Sequence, residues 1–169
     1  MPMKRYRYFL LAIIAGLVVL LILRDSEAEK ILRQLENIRA LAEVHAPESA
    51  IEQASKASRI SQAFSEQTRY DLTNLGHGII EIDSRQALTG KILRGRATLA
   101  SLELALDHPL VHIDGSQARV ELLGSATGSS RNAEGQFLDI HRVEVMLKKD
   151  PIGWLITGAR HISDERQPP

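Results

Sequence analysis

Two patterns of apolar residues follow one another at the start of the chain. Residues 9–23, FLLAIIAGLVVLLIL, are uninterrupted apolar or small residues, and beyond Ser26 the apolar positions become periodic. Ile31, Leu35, Ile38 and Ala42 recur at i, i+4, i+7 and i+11 with Glu, Lys and Arg between them, which predicts an amphipathic helix. Ser26 and Glu29 have the spacing of a capping box at its start, although the pattern equally allows the apolar run to continue as one helix to about Val44. Pro47 breaks the chain and suits the first turn of a second helix, read through Ile51, Ala54, Ala57, Ile60 and Phe64. Its many Ala and Ser residues imply close packing or the wall of a cavity. A polar stretch containing Tyr70 and Asn74 leads to a short strand between Gly76 and Asp83. Ser84 then reads as the N-cap of a third helix, with Leu88, Ile92 and Leu99 as its apolar positions and Lys91, Arg94 and Arg96 on other faces.

The remainder alternates with the period of a strand. SLELALDH and LVHI lead to a turn at Asp114-Gly115, QARVELLGSAT follows, and a Gly/Ser/Asn connection reaches FLDIHRVEVMLKK. The turn DPIG returns the chain as WLITGARHI. Helix, helix, strand, helix and then four or more antiparallel strands is an α+β order, with about three helices packed on one face of a curved antiparallel sheet.

The run 9–23 is short for a membrane span, which takes roughly 20 residues, but Tyr6, Tyr8 and a snorkelling Arg24 extend it. Lys4, Arg5 and Arg7 ahead of it predict a cytoplasmic N-terminus and an exported domain, periplasmic or extracellular. The expected organisation is a basic tail and single transmembrane helix over 1–25, one domain over 26–163, and a disordered tail over 164–169. Secretion after cleavage of a signal peptide is the alternative, since Ser26-Glu27-Ala28 loosely fits a cleavage site.

Composition sharpens this. The 169 residues have a formal net charge of zero, yet residues 1–24 carry +4, so the rest is mildly acidic. Nucleic acid, whose phosphates demand clustered Lys and Arg, is therefore not an expected partner. The chain has no cysteine, which removes disulfides, thiol nucleophiles and thiolate metal sites.

The element order and the ending VEVMLKKDPIGWLITGARHI, where a strand closing on Lys-Lys is followed by a Gly-containing turn and Trp-Leu-Ile, resemble the nuclear-transport-factor-2-like or SnoaL-like superfamily. The resemblance covers roughly residues 27–163 and looks most like membrane-anchored bacterial members. It implies an α+β cone closed by Trp154 and Ile156, and it admits isomerases, dehydratases, cyclases, transport factors and secretion-machine subunits alike, because a fold does not choose a chemistry.

Pairing the last hairpin about DPIG sets Lys149 opposite Trp154 and, counting back, Val143 opposite Arg160. One face would then carry Phe137, Val143, Val145, Leu147, Trp154 and Ile156 together with Asp139, His141 and Arg160, and a one-residue shift in register would exchange Arg160 for His161. A carboxylate beside an imidazole at the rim of an apolar face can act as a general base; the alternative is a solvated strand end with a structural ion pair. Tyr70 and His77 are a further pair able to polarise a ligand carbonyl. His108 and His112 have the spacing of helical metal ligands, but Pro109 between them puts them on a strand, so no metal and no cofactor are expected. The reading is a membrane-anchored exported domain, noncatalytic, that binds a protein partner in the envelope or a small apolar ligand. Its alternatives are a SnoaL-type isomerase, dehydratase or cyclase and a structural homodimer.

Overall fold

The computed structural model of the chain describes residues 26–45, 47–132 and 134–163. The tail and anchor expected over 1–25 and the tail over 164–169 lie outside the described residues. Among those described, no helix is long and apolar enough to cross a membrane.

Helix α1 spans Glu27–Ala42 and starts at its own cap: the Ser26 hydroxyl accepts from the Glu29 backbone N–H, and Glu29 accepts from the Ser26 N–H. Ser26 lies outside the helical region, at ψ 149°, so α1 begins at this cap. Helix α2 spans Ala50–Gln62 and is capped by Ser49, with Pro47 ahead of the helix rather than in its first turn. Its predicted stripe holds only in part: Ala57 and Ile60 are buried, whereas Ile51 and Ala54 face solvent. Phe64 already belongs to strand β1, Phe64–Leu72, which stands where a polar stretch around Tyr70 is expected. A 3-10 turn over Thr73–Leu75 ends at Gly76, whose φ of +77° is the left-handed region glycine tolerates. Strand β2 (Gly78–Ile82) follows, and Ser84 caps α3 (Arg85–Thr98) as expected.

Four long strands complete the chain: β3 (Leu99–Asp114), β4 (Gln117–Ser130), β5 (Gln136–Asp150) and β6 (Gly153–His161). SLELALDH and LVHI are one strand, bulged between Asp107 and Leu110. The six-stranded curved sheet has the order β2-β1-β6-β5-β4-β3. It is not wholly antiparallel, because β1 and β6 pair in parallel.

Helix α1 covers the inner face. Ile31 and Leu35 meet Ala118, Val120, Leu122, Leu147, Trp154 and Ile156 there, so Trp154 and Ile156 close the core as their shared face predicted. Each of the Val, Leu and Ile side chains among them contributes roughly 1.5–3 kcal/mol by leaving water. Two polar devices fasten the helices. Gln34 of α1 donates to the Trp154 carbonyl at 2.8 Å. Arg96 of α3, on the same stripe as Leu88 and Ile92 rather than on another face, is buried against the end of α1, donating to the carbonyls of Leu41, Ala42 and Glu43 and to the Glu48 carboxylate. Those carbonyls belong to the last turn of α1 and its cap, which have no partners within the helix.

Candidate functional site

Register decides which residues can act together. Strands β5 and β6 pair from the DPIG turn as counted, Lys149 opposite Trp154 and Leu147 opposite Ile156. An irregularity then inserts Thr157, and beyond it Val143 faces His161 and Glu144 faces Arg160. A bulge adds one residue to one strand, and side chains alternate between faces, so everything after it changes sides relative to a regular count. Arg160 therefore leaves the inner face, and His161 takes the place predicted for it.

The expected trio is accordingly not brought together. Asp139 is solvent-exposed opposite Ala126, and no hydrogen bond joins it to His141. His141, half-buried opposite Gly124, instead meets His161 edge to face, with ring centroids 5.2 Å apart. The Nδ1 of His161 is buried with no hydrogen-bond partner among the described residues. Tyr70 sits on the same inner face, opposite Ala159 and Ile80, where burial raises the pKa of its phenol. His77 is exposed in the turn beyond Gly76 and does not join Tyr70. His108 and His112 are both exposed on β3, the first within its bulge and the second beyond it, and among the described residues no group of acidic, His or Cys side chains is arranged to hold a metal ion. The inner-face residues Tyr70, His141 and His161 can donate or accept hydrogen bonds beside half-buried Val143.

The outer face is organised differently. Glu144 is only 3% exposed there and is held by Arg160, whose Nε lies 2.8 Å from Oε1 and whose Nη2 lies 3.2 Å from Oε2, with Arg119 at 4.0 Å. From the level of Glu144 toward the β4–β5 turn the same face also carries exposed apolar side chains. Leu110, Leu138 and Ile140 are 54%, 62% and 54% exposed, and Leu123 lies half-buried among them. The pairings Leu138 with Thr127, Ile140 with Ser125 and Leu123 with Arg142 put all of these on the side away from α1. Neither this patch nor Glu144 was singled out from sequence, because alternation identifies two faces without saying which one α1 covers.

Neither a protein-family model nor a curated protein matches the sequence. Solved structures do match in shape. The chain is similar to a nuclear-transport-factor-2-like superfamily protein from Salmonella enterica serovar Typhimurium, with 17% identity and a TM-score of 0.61 over 85% of this chain and 94% of that one. It is similar to a nuclear-transport-factor-2-like protein with a cystatin-like fold from Novosphingobium aromaticivorans, with 15% identity and a TM-score of 0.60 over 91% and 90%. A candidate scytalone dehydratase from the same organism matches at 9% identity and a TM-score of 0.61 over 78% and 79%. Identities this low carry over the architecture without the residues of any site. On that architecture, three helices against a six-stranded curved sheet, the chain has the nuclear-transport-factor-2-like, SnoaL-like fold.

Proposed function

We propose that this chain is a membrane-tethered, exported and noncatalytic domain that binds a protein partner through the outer face of its sheet. The observation that carries the reading is the exposure of Leu138, Ile140 and Leu110 around Leu123. Contiguous exposed aliphatic residues cost solubility and mark interaction sites. Arg119, Arg160 and Glu144 flank the patch with charge of both signs, which suits a specific contact between proteins. The tether rests on the apolar run 9–23 and the cations before it.

The test is a photo-crosslinking residue in place of Ile140 in the full chain, expressed in membranes, with the same residue in place of Ile51 as control. Ile51 is 83% exposed but stands on helix α2. A discrete product at position 140, lost when Leu138→Asp is added and absent at position 51, is expected. Its mass separates a second copy of the chain from another protein. Equal labelling at both positions, or none, would refute the interface.

A second reading, a small-ligand site on the inner face, has support of its own in the unpartnered His161 Nδ1 beside His141 and Tyr70. The dehydratase-like neighbour makes the enzyme version of that reading worth testing. Binding of aromatic or sterol-like compounds that shifts the ring resonances of both histidines would favour it over the partner module.

A further inference from the structure

The tether and the fold together fix which end of the domain meets the bilayer. The apolar run ends at Leu23, and α1 begins at Glu27. The four residue steps between them span at most about 14 Å even when fully extended. Because Ser26 caps α1 with its own pair of hydrogen bonds, the helix is an independent element whose first turn is nonetheless held beside the membrane surface.

Two contacts bind that first turn to one end of the sheet, and a third joins the two sheet turns there. Trp154 Nε1 donates to Glu27 at 2.8 Å, the Lys149 ammonium lies 2.9 Å from the same carboxylate, and the Lys149 backbone N–H donates to the Ser116 carbonyl at 2.7 Å. The β5–β6 turn and the β3–β4 turn are thereby both brought to the start of α1. At the tip of the first stands Ile152, 86% exposed beside Pro151, and at the foot of the second stands Ile113, 41% exposed. Ionised groups at this end nearly balance, Lys30, Lys148 and Lys149 against Glu27, Glu29, Asp114 and Asp150. Attraction to acidic lipid therefore does not drive the contact, and the apolar tip does.

We infer that this end of the domain rests on the bilayer that holds residues 9–23, with Ile152 dipping into the boundary between headgroups and acyl chains. The inference rests on the proposed tether. It also accounts for the position of the interaction surfaces. His141 lies nine residues back along β5 from Asp150, a strand length of about 30 Å, and Leu138 lies about 40 Å back. The Leu138 and Ile140 patch is thus presented away from the lipid, where a soluble or membrane-bound partner reaches it.

The natural absence of cysteine makes single-site spin labelling direct. The full chain carrying Ile152→Cys or Asn132→Cys, the latter exposed in the β4–β5 turn, is reconstituted into phosphatidylcholine and phosphatidylglycerol vesicles. The label at 152 should collide more with lipid-dissolved oxygen than with an aqueous nickel chelate, and the label at 132 should do the reverse. Aqueous behaviour at 152 in a chain that resists alkaline carbonate extraction would overturn the orientation and leave the tether standing. A chain released by the carbonate wash would overturn the tether, and the orientation with it.

Discussion

Replacing Arg96 by Met keeps much of the length of the side chain and removes its guanidinium. The native group is buried, with Nη1 at 2.8 and 2.7 Å from the carbonyls of Leu41 and Ala42, and Nη2 at 3.2 Å from that of Glu43 and 2.9 and 2.7 Å from the two oxygens of Glu48. Its loss strands three carbonyls at the end of α1 and leaves Glu48 with Lys56 at 2.5 Å as its cationic partner. Burial tends to raise the Glu48 pKa, but the bonds from Lys56 and Arg96 more than offset it and hold the carboxyl below its usual value. Without Arg96 the burial cost is poorly compensated. Removing one partner of a buried ion pair costs about 3–5 kcal/mol, and the surviving Lys56 argues for the lower half of that range. In a domain of this size each kcal/mol moves the melting temperature by roughly 3–5 °C, so a fall of about 10–15 °C is expected. The assay is thermal unfolding of the full chain in detergent, followed by the fluorescence of Trp154, the only tryptophan. Arg96→Lys should fall between, because a single ammonium cannot reproduce the fork. Adding Glu48→Gln to Arg96→Met should recover part of the loss by removing the stranded charge. A melting temperature for Arg96→Met within about 3 °C of wild type, less than one kcal/mol, would refute the idea that this residue locks α1 to α3.

Gly158→Ala should destabilise by about 1–3 kcal/mol, because an added Cβ would fall inside the contact distance of the Arg69 carbonyl on the parallel neighbour β1. An unchanged denaturant midpoint would show that the two strands can separate freely. Bonds from Lys30, then Lys149 and Trp154, lower the Glu27 carboxyl to about 2 from 4.5. A carboxylate depressed on folding contributes stability that is full above the unfolded value and lost as the pH falls through the folded one, so the domain should weaken between about pH 5 and pH 2. Solvent exposure keeps the effect small. Glu27→Gln should flatten that part of the pH–stability curve, and superimposable wild-type and variant curves would reject the contribution.

Much of the fold is legible where one chemical pattern has one structural meaning. The cap residues Ser26 and Ser84 were readable because hydroxyl side chains at those positions satisfy free backbone N–H groups. The core face of β6 was readable because Trp154 and Ile156 alternate about a clear turn. Strand β1 was not, since its residues Glu66, Gln67 and Arg69 are exposed and only Thr68 is fully buried. Arg96 escaped for the opposite reason: it holds a core position four residues after Ile92, and a pattern that counts apolar residues assigns an arginine to the surface.

The site turns on one inserted residue. Counted without the Thr157 bulge, Arg160 would stand on the inner face beside Asp139 and His141, the expected acid–base rim. With the bulge it faces outward, and His161 meets His141 in its place. The available signal was Gly158, since a glycine inside a strand often marks a bulge or a close backbone approach, and here it marks both. The exchange also bears on the outer face. Glu144 is buried on the same side as Leu123 and Ile140, and an unpaired carboxylate there would make any apolar contact costly, because partner binding would strip it further from water. By turning Arg160 outward to meet Glu144, the bulge pairs that buried charge, so that under the proposed contact the patch beside it would be covered without stranding an unpaired carboxylate.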